Sequence, residues 1–164
     1  YQVKVFPVVF YKNGKEVLSR DNPFTFEERK EMIENVFPEI EVEKSYYLDS
    51  PFLKYFFNPF RVRMRMVKRI VSPYIFYTRD IGEYIPLLIF FQRCKYEKRG
   101  GISASYVREL IYLEILGKKG EEWRNFVDKK NVRIIENAFP RLEKLVESKD
   151  VEFLGYKVPR EGLI

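Results

Sequence analysis

The stretch best suited to holding an anion is Ile102-Ser103-Ala104-Ser105-Tyr106-Val107-Arg108. Gly100-Gly101 breaks the chain, and Ser103 or Ser105 then caps a helix predicted to run to about Leu116. Free backbone N–H groups at such a helix start, with serine hydroxyls beside them, form an anion site. Arg108, one turn in, adds a charge-assisted guanidinium fork. The plainer reading is a serine-capped helix start.

Two further stretches carry charge in a pattern. In Asn22-Pro23-Phe24-Thr25-Phe26-Glu27-Glu28-Arg29, Thr25 and Glu28 make a capping box. The helix they open is predicted to reach about Val36, with Phe26, Met32, Ile33 and Val36 inward and Pro38 as the stop. By itself this is a well-capped helix with a surface Arg29. The run Arg61-Val62-Arg63-Met64-Arg65-Met66-Val67-Lys68-Arg69 is basic. Near so many Tyr and Phe it fits single-stranded nucleic acid, by backbone charge and base stacking. Its plain alternative is a solvated helix face.

Other chemistries are excluded by composition. The chain has 164 residues and no histidine, so histidine triads and histidine metal sites are ruled out within it. Its one cysteine, Cys94, lies among bulky apolar residues and reads as a buried structural thiol rather than a nucleophile. No intrachain disulfide is possible, which fits a reducing, cytoplasmic setting. Glu27-Glu28 and Glu121-Glu122 are sequence neighbours that point apart on a helix, so neither is a carboxylate dyad. The net charge of +6 suits an anionic partner without choosing among nucleotide, nucleic acid and acidic membrane surface. No apolar run approaches the ~20 residues of a membrane span, so a membrane is not expected.

The elements that must position these residues follow from pattern. Val3 to Tyr11 reads as a strand, with Pro7 at a bulge or edge, followed by an Asn13-Gly14 turn. Ile40 to Tyr47 alternates as a second strand. Arg61 to Val71 reads as a helix, Tyr74 to Tyr77 as a short buried strand, Ile81 to Arg93 as helical after Pro86 and Lys95 to Lys98 as a strand. In the 103–116 helix, Val107, Leu110, Ile111 and Ile115 share a side, and Gly117 ends it. Short helices are expected at Trp123 to Phe126 and Val132 to Ala138, then one more from Pro140 and an irregular tail. Strands and helices alternating at this spacing predict an α/β fold with a doubly wound parallel sheet.

Four segments, in order, resemble the archaeal nicotinamide-nucleotide adenylyltransferases of the nucleotidyltransferase superfamily. Asn22 to Arg29 matches that family's Asn-Pro-Phe-Thr-x-x-Glu-Arg motif at every defined position. Ile102 to Arg108 is similar to the superfamily's Ile-Ser-x-Thr-x-Ile-Arg signature, with Ser105 for Thr and Val107 for Ile. Pro73 to Thr78 resembles the strand that enters its Tyr-Ser-Gly-Asn-Pro loop, and Gly117 to Trp123 its Gly-x-x-Trp segment. The resemblance covers roughly residues 3 to 138. It implies a Rossmann-like nucleotidyltransferase domain at 1–140, with 141–164 as a C-terminal helix and tail of the same domain.

It further implies adenylyl transfer from ATP, as a magnesium complex, to a mononucleotide such as nicotinamide mononucleotide, a step of NAD biosynthesis. Arg29, Ser103, Ser105 and Arg108 would hold the triphosphate. Asp49, Phe56 and Phe57 would line the acceptor pocket. The chain departs from the family in one decisive respect. The family's His-x-Gly-His motif, which stabilises charge on the phosphates, would precede Tyr1, together with the first strand and helix. This chain alone is therefore expected to be inactive, with no catalytic residue of its own. The alternative is a non-catalytic scaffold that binds nucleotide, a protein partner, or nucleic acid through Arg61, Arg63, Arg65, Lys68 and Arg69.

Overall fold

The computed structural model describes residues 2–44, 47–48, 67–70, 73–79, 84–85, 88–89, 93–97, 100–147, 150–153 and 156–159. The first strand is split as Pro7 requires. β1 (Lys4–Val5) and β2 (Val9–Lys12) flank the proline, which has no N–H for a ladder. Asn13 and Gly14 both take positive φ, 51° and 74°, and turn β2 into the antiparallel β3 (Lys15–Glu16). That is the backbone a two-residue hairpin loop needs.

α1 (Phe26–Val36) then crosses to β4 (Glu41–Val42) and β5 (Tyr47–Leu48). β4 lies parallel to β1 and β5 parallel to β2. The pairing offset rises by one residue across the Pro7 break. Strand, helix and parallel strand make a βαβ unit. Val9, Phe26 and Val42 are buried where the helix meets the strands. Val36, expected inward, is 38% exposed, because it sits in the final turn beyond the covered stretch.

A second parallel pair follows, β6 (Phe76–Thr78) with β7 (Cys94–Tyr96). Tyr84, Ile85, Leu88 and Ile89 between them are helical. The buried strand expected at Tyr74 to Tyr77 is corrected: Tyr77 is 61% exposed and only Thr78 is buried. Cys94 is half-buried, and that burial raises its thiol pKa, which suits the inert reading.

α2 (Ala104–Ile115), a 3-10 turn (Glu121–Asn125) and α3 (Lys129–Glu147) form the main core. Leu110, Ile111, Tyr112, Trp123, Ile135, Ala138 and Leu142 are its buried members. α2 ends as expected: Gly117 has φ 69°, its N–H donates to the Glu114 carbonyl, and the Lys118 N–H donates to that of Leu113. These two bonds are the Schellman pattern.

Two expectations fail beyond it. A single helix runs through Pro140, where two helices were predicted. The buried side chains on both sides, Ile135, Ala138 and Leu142, hold it together against the missing N–H. The tail is a hairpin rather than irregular, with β8 (Asp150–Phe153) antiparallel to β9 (Tyr156–Pro159). The molecule is therefore mixed α/β, with small parallel pairs. Among the described residues no helix is long and apolar enough to cross a membrane.

Candidate functional site

The two motif segments meet in space although some 80 residues of chain separate them. The Arg108 Nη1 donates to the Asp21 carbonyl at 2.8 Å, and its Nη2 lies 3.3 Å from both Asp21 Oδ1 and Ser105 Oγ. Arg20 and Asp21 thus tie the turn before α1 to the first half of α2. Arg20 Nη2 pairs with Glu109 at 2.8 Å, its guanidinium lies over the Tyr112 ring at 5.3 Å, and the Tyr112 hydroxyl donates to the Arg20 carbonyl. Burial pushes the Tyr112 hydroxyl up to about 12, against the pull of Arg108 and Arg20, so it stays a neutral donor.

Arginines converge on the carbonyls of the 21–25 turn. Arg108 serves Asp21, Arg141 from α3 serves Pro23 at 3.4 Å, and Arg29 serves Thr25 at 3.4 Å. Arg29 also donates to the Val8 carbonyl at 2.7 Å, which places it under the start of β2. Its burial lowers its pKa, opposed by Glu16. Each arginine has a carboxylate. Arg20–Glu109 and Arg141–Glu28 are tight, at 2.8 and 2.7 Å. Arg108–Asp21 and Arg29–Glu16 are looser, at 3.3 and 3.7 Å.

Among the described residues, four buried side-chain nitrogens lack a hydrogen-bond partner: Asn22 Nδ2, Arg29 Nη2, Arg108 Nε and Arg141 Nε. All are donors, and all belong to residues of this turn or residues bonded to it. A buried unsatisfied donor costs about 1–3 kcal/mol, so a set of them fits an acceptor-rich ligand.

The two helix starts differ in what they leave open. At α1 the capping box closes both ways, with the Glu28 N–H on Thr25 Oγ1 at 3.2 Å and the Thr25 N–H on Glu28 Oε2 at 2.8 Å. Glu16 takes the Phe26 N–H at 2.8 Å, so that end already holds its own carboxylate. At α2 Ser103 is the cap, its Oγ accepting from the Tyr106 N–H at 3.1 Å. The amides of Ala104 and Ser105 meet no acceptor among the described residues. Ser103, Ala104 and Ser105 are exposed, so this is the end open to an anion.

The structure therefore brings Arg108, Ser105 and the 21–25 turn together, with Ser103 at the same helix end and Arg29 at the far end of the turn. Asp49, Phe56, Phe57, Arg61, Arg63 and Arg65 lie outside the described residues. Lys68 and Arg69 are exposed, and Arg69 pairs with Glu43 at 2.6 Å. Sequence reasoning missed Glu16, Arg20, Asp21, Tyr112 and Arg141. Arg20-Asp21 adjoins the Asn22 motif and was open to notice, but nothing local marks Arg141. Trp123, from the Gly-x-x-Trp-like segment, is a core residue, its Nε1 donating to Glu114 and its ring packed on Phe139. Among the described residues no His, Cys, Asp and Glu cluster is suited to a metal.

Compared with family models, curated proteins and solved structures, the chain matches none.

Proposed function

We propose that this chain binds a nucleotide through its phosphates at the α2 start, on a nucleotidyltransferase-like scaffold of Rossmann-like, doubly wound type. One observation carries the reading. Arg29 and Arg108, the two arginines that the sequence resemblance assigns to phosphate, are the two with the looser carboxylates, and each keeps a buried nitrogen without a hydrogen bond, Nη2 of Arg29, which has Glu16 only at 3.7 Å, and Nε of Arg108. Arg108 is also one turn from the open amides of Ala104 and Ser105. Ser103 and Ser105 add hydroxyls at the same helix end.

The ligand is ATP as its magnesium complex, and the related chemistry is adenylyl transfer to a mononucleotide such as nicotinamide mononucleotide. The chain has no histidine to stabilise charge developing on the phosphates, so its own contribution is binding and orientation. Without that group, pyrophosphate release from ATP and nicotinamide mononucleotide is expected to stay at background with this chain.

Calorimetric titration of ATP and magnesium tests the binding. The reading expects saturable binding that weakens at least about tenfold in Arg108→Ala and several-fold in Ser105→Ala. Arg29→Lys serves better than Arg29→Ala, because Arg29 also holds the Val8 carbonyl. No heat of binding in the folded wild-type chain sinks the reading.

A further inference from the structure

Parallel strands are ordinarily covered on both faces. β6 and β7 are a parallel pair with one face open. Tyr77 and Lys95 are register partners and so share that face. The ladder continues at both ends, with the Phe76 N–H on the Arg93 carbonyl at 2.9 Å and the Glu97 N–H on the Thr78 carbonyl at 3.1 Å. Alternation then puts Ile75 and Arg79 beside Tyr77, and Arg93 and Glu97 beside Lys95. The Arg79–Glu97 contact at 3.9 Å agrees with this placement. Tyr77 is 61% exposed and Ile75 43%. Arg79, Arg93, Lys95 and Glu97 are all exposed as well.

What is open chooses the partner. An uncovered apolar face would call for a helix, but among the described residues this face carries Arg79, Arg93 and Lys95 against one carboxylate, Glu97. In its middle lies a single tyrosine ring, with the Lys95 ammonium 5.9 Å from its centroid. Cations that track a phosphate backbone, set around an aromatic ring that takes a base, are the two parts of a single-strand binding surface. A duplex hides its bases and cannot use the ring. A membrane surface would use the charges and leave Tyr77 without a stacking role.

We infer that the exposed β6–β7 face, with Tyr77 as stacking platform and Arg79, Arg93 and Lys95 as phosphate contacts, binds single-stranded nucleic acid. It uses none of the residues proposed to hold nucleotide phosphates, so the two proposals stand or fall separately.

The test is fluorescence anisotropy with a labelled thymidine oligomer of about twelve nucleotides, against a duplex of the same length and anionic phosphatidylserine vesicles. Single-strand binding is expected, and Tyr77→Ala should weaken it about tenfold while Tyr77→Phe keeps it. Lys95→Ala should lower the slope of log affinity against log salt by roughly 0.7. Lys118→Ala with Lys119→Ala removes two exposed charges elsewhere and should change affinity little. Four results would each overturn the inference: no single-strand binding at low salt, duplex or vesicles bound equally well, indifference to Tyr77→Ala, or an equal loss in the Lys118 and Lys119 control.

Discussion

Asp21 places a carboxylate oxygen 3.3 Å from Arg108 Nη2, on the guanidinium fork that a phosphate would use. Asp21 is 65% exposed and Arg108 only 19%, so the acid is the easier member to displace. An exposed ion pair is worth little, about 0–1 kcal/mol, and like-charge repulsion between Asp21 and a bound phosphate adds to what its removal releases. Asp21→Asn is therefore expected to tighten ATP binding by roughly three- to tenfold at low salt, with the gain shrinking as salt is added. Unchanged affinity in Asp21→Asn, alongside loss in Arg108→Ala, would mean that the anion approaches Arg108 from the Nε side instead.

Gly120 lets the chain after α2 close onto the helix that precedes it. A Cβ at this position would sit 2.2 Å from the Leu110 carbonyl oxygen and 2.7 Å from the Glu114 nitrogen. Both are backbone atoms and cannot swing away. Gly120→Ala must therefore push the 3-10 turn off α2 and disturb the seat of the buried Trp123. The expected loss is about 2–3 kcal/mol, read as a lowered thermal midpoint with blue-shifted Trp fluorescence giving way to a solvent-exposed spectrum. Gly14→Ala is a useful contrast. Nothing lies within 4 Å of its added methyl, and only its φ of 74° resists it.

Local signals were legible because their partners lie within a few residues. Thr25 and Glu28, Asn13 and Gly14, Ser103, and Gly117 each form the cap or turn that their types announce. The candidate site was legible only in its two ends. What joins them is long-range: Arg108 on Asp21, Tyr112 on the Arg20 carbonyl, and Arg141 on Glu28, which comes from a helix more than 100 residues away. A guanidinium's partner depends on tertiary approach, which spacing along the chain does not encode. Pro140 misled for a related reason. Its local preference ends helices, and burial of Leu142 beyond it overrides that preference.

Glu114 is the hub of the α2–α3 seam. It accepts from both Arg124 Nη atoms at 2.7 and 2.8 Å and from the Trp123 Nε1, while Arg124 also reaches Glu136 at 2.7 Å. The hydrogen bonds from Arg124 hold the Glu114 carboxyl below its ordinary value of 4.5, against the opposing effect of burial. The folded pKa is depressed, so its contribution to stability is present above the unfolded value and is lost as pH falls through the folded one. Glu114→Gln is expected to lower stability near pH 7 by about 1–2 kcal/mol, with the partial exposure of Arg124 limiting the loss. The deficit should shrink as pH drops below about 4.5, the ordinary value, and close only as pH passes the depressed folded one. Urea unfolding at about pH 7 and about pH 3.5 checks it, and an equal deficit at both would place the effect in packing rather than charge.

Pro140 lies inside α3 directly before Arg141, the arginine that reaches from α3 to Glu28 and the Pro23 carbonyl. A proline in a helix interior forfeits one backbone bond and crowds the preceding turn, at about 3 kcal/mol. It also restricts the unfolded chain, which returns about 0.4–1 kcal/mol. If the proline serves nothing else, Pro140→Ala should raise stability by roughly 2–2.6 kcal/mol, a rise of several degrees in the thermal midpoint. The alternative is that the proline sets the direction of the last helical turns, so that Arg141 meets Glu28 at 2.7 Å. In that case Pro140→Ala gains little in the wild type, whereas adding Pro140→Ala to Arg141→Ala raises stability by the full relief of strain. A double-mutant cycle measured by thermal unfolding separates the two. Additive effects assign Pro140 to backbone strain alone, and a coupling above about 0.5 kcal/mol assigns it to aiming Arg141 at the turn that carries Asn22.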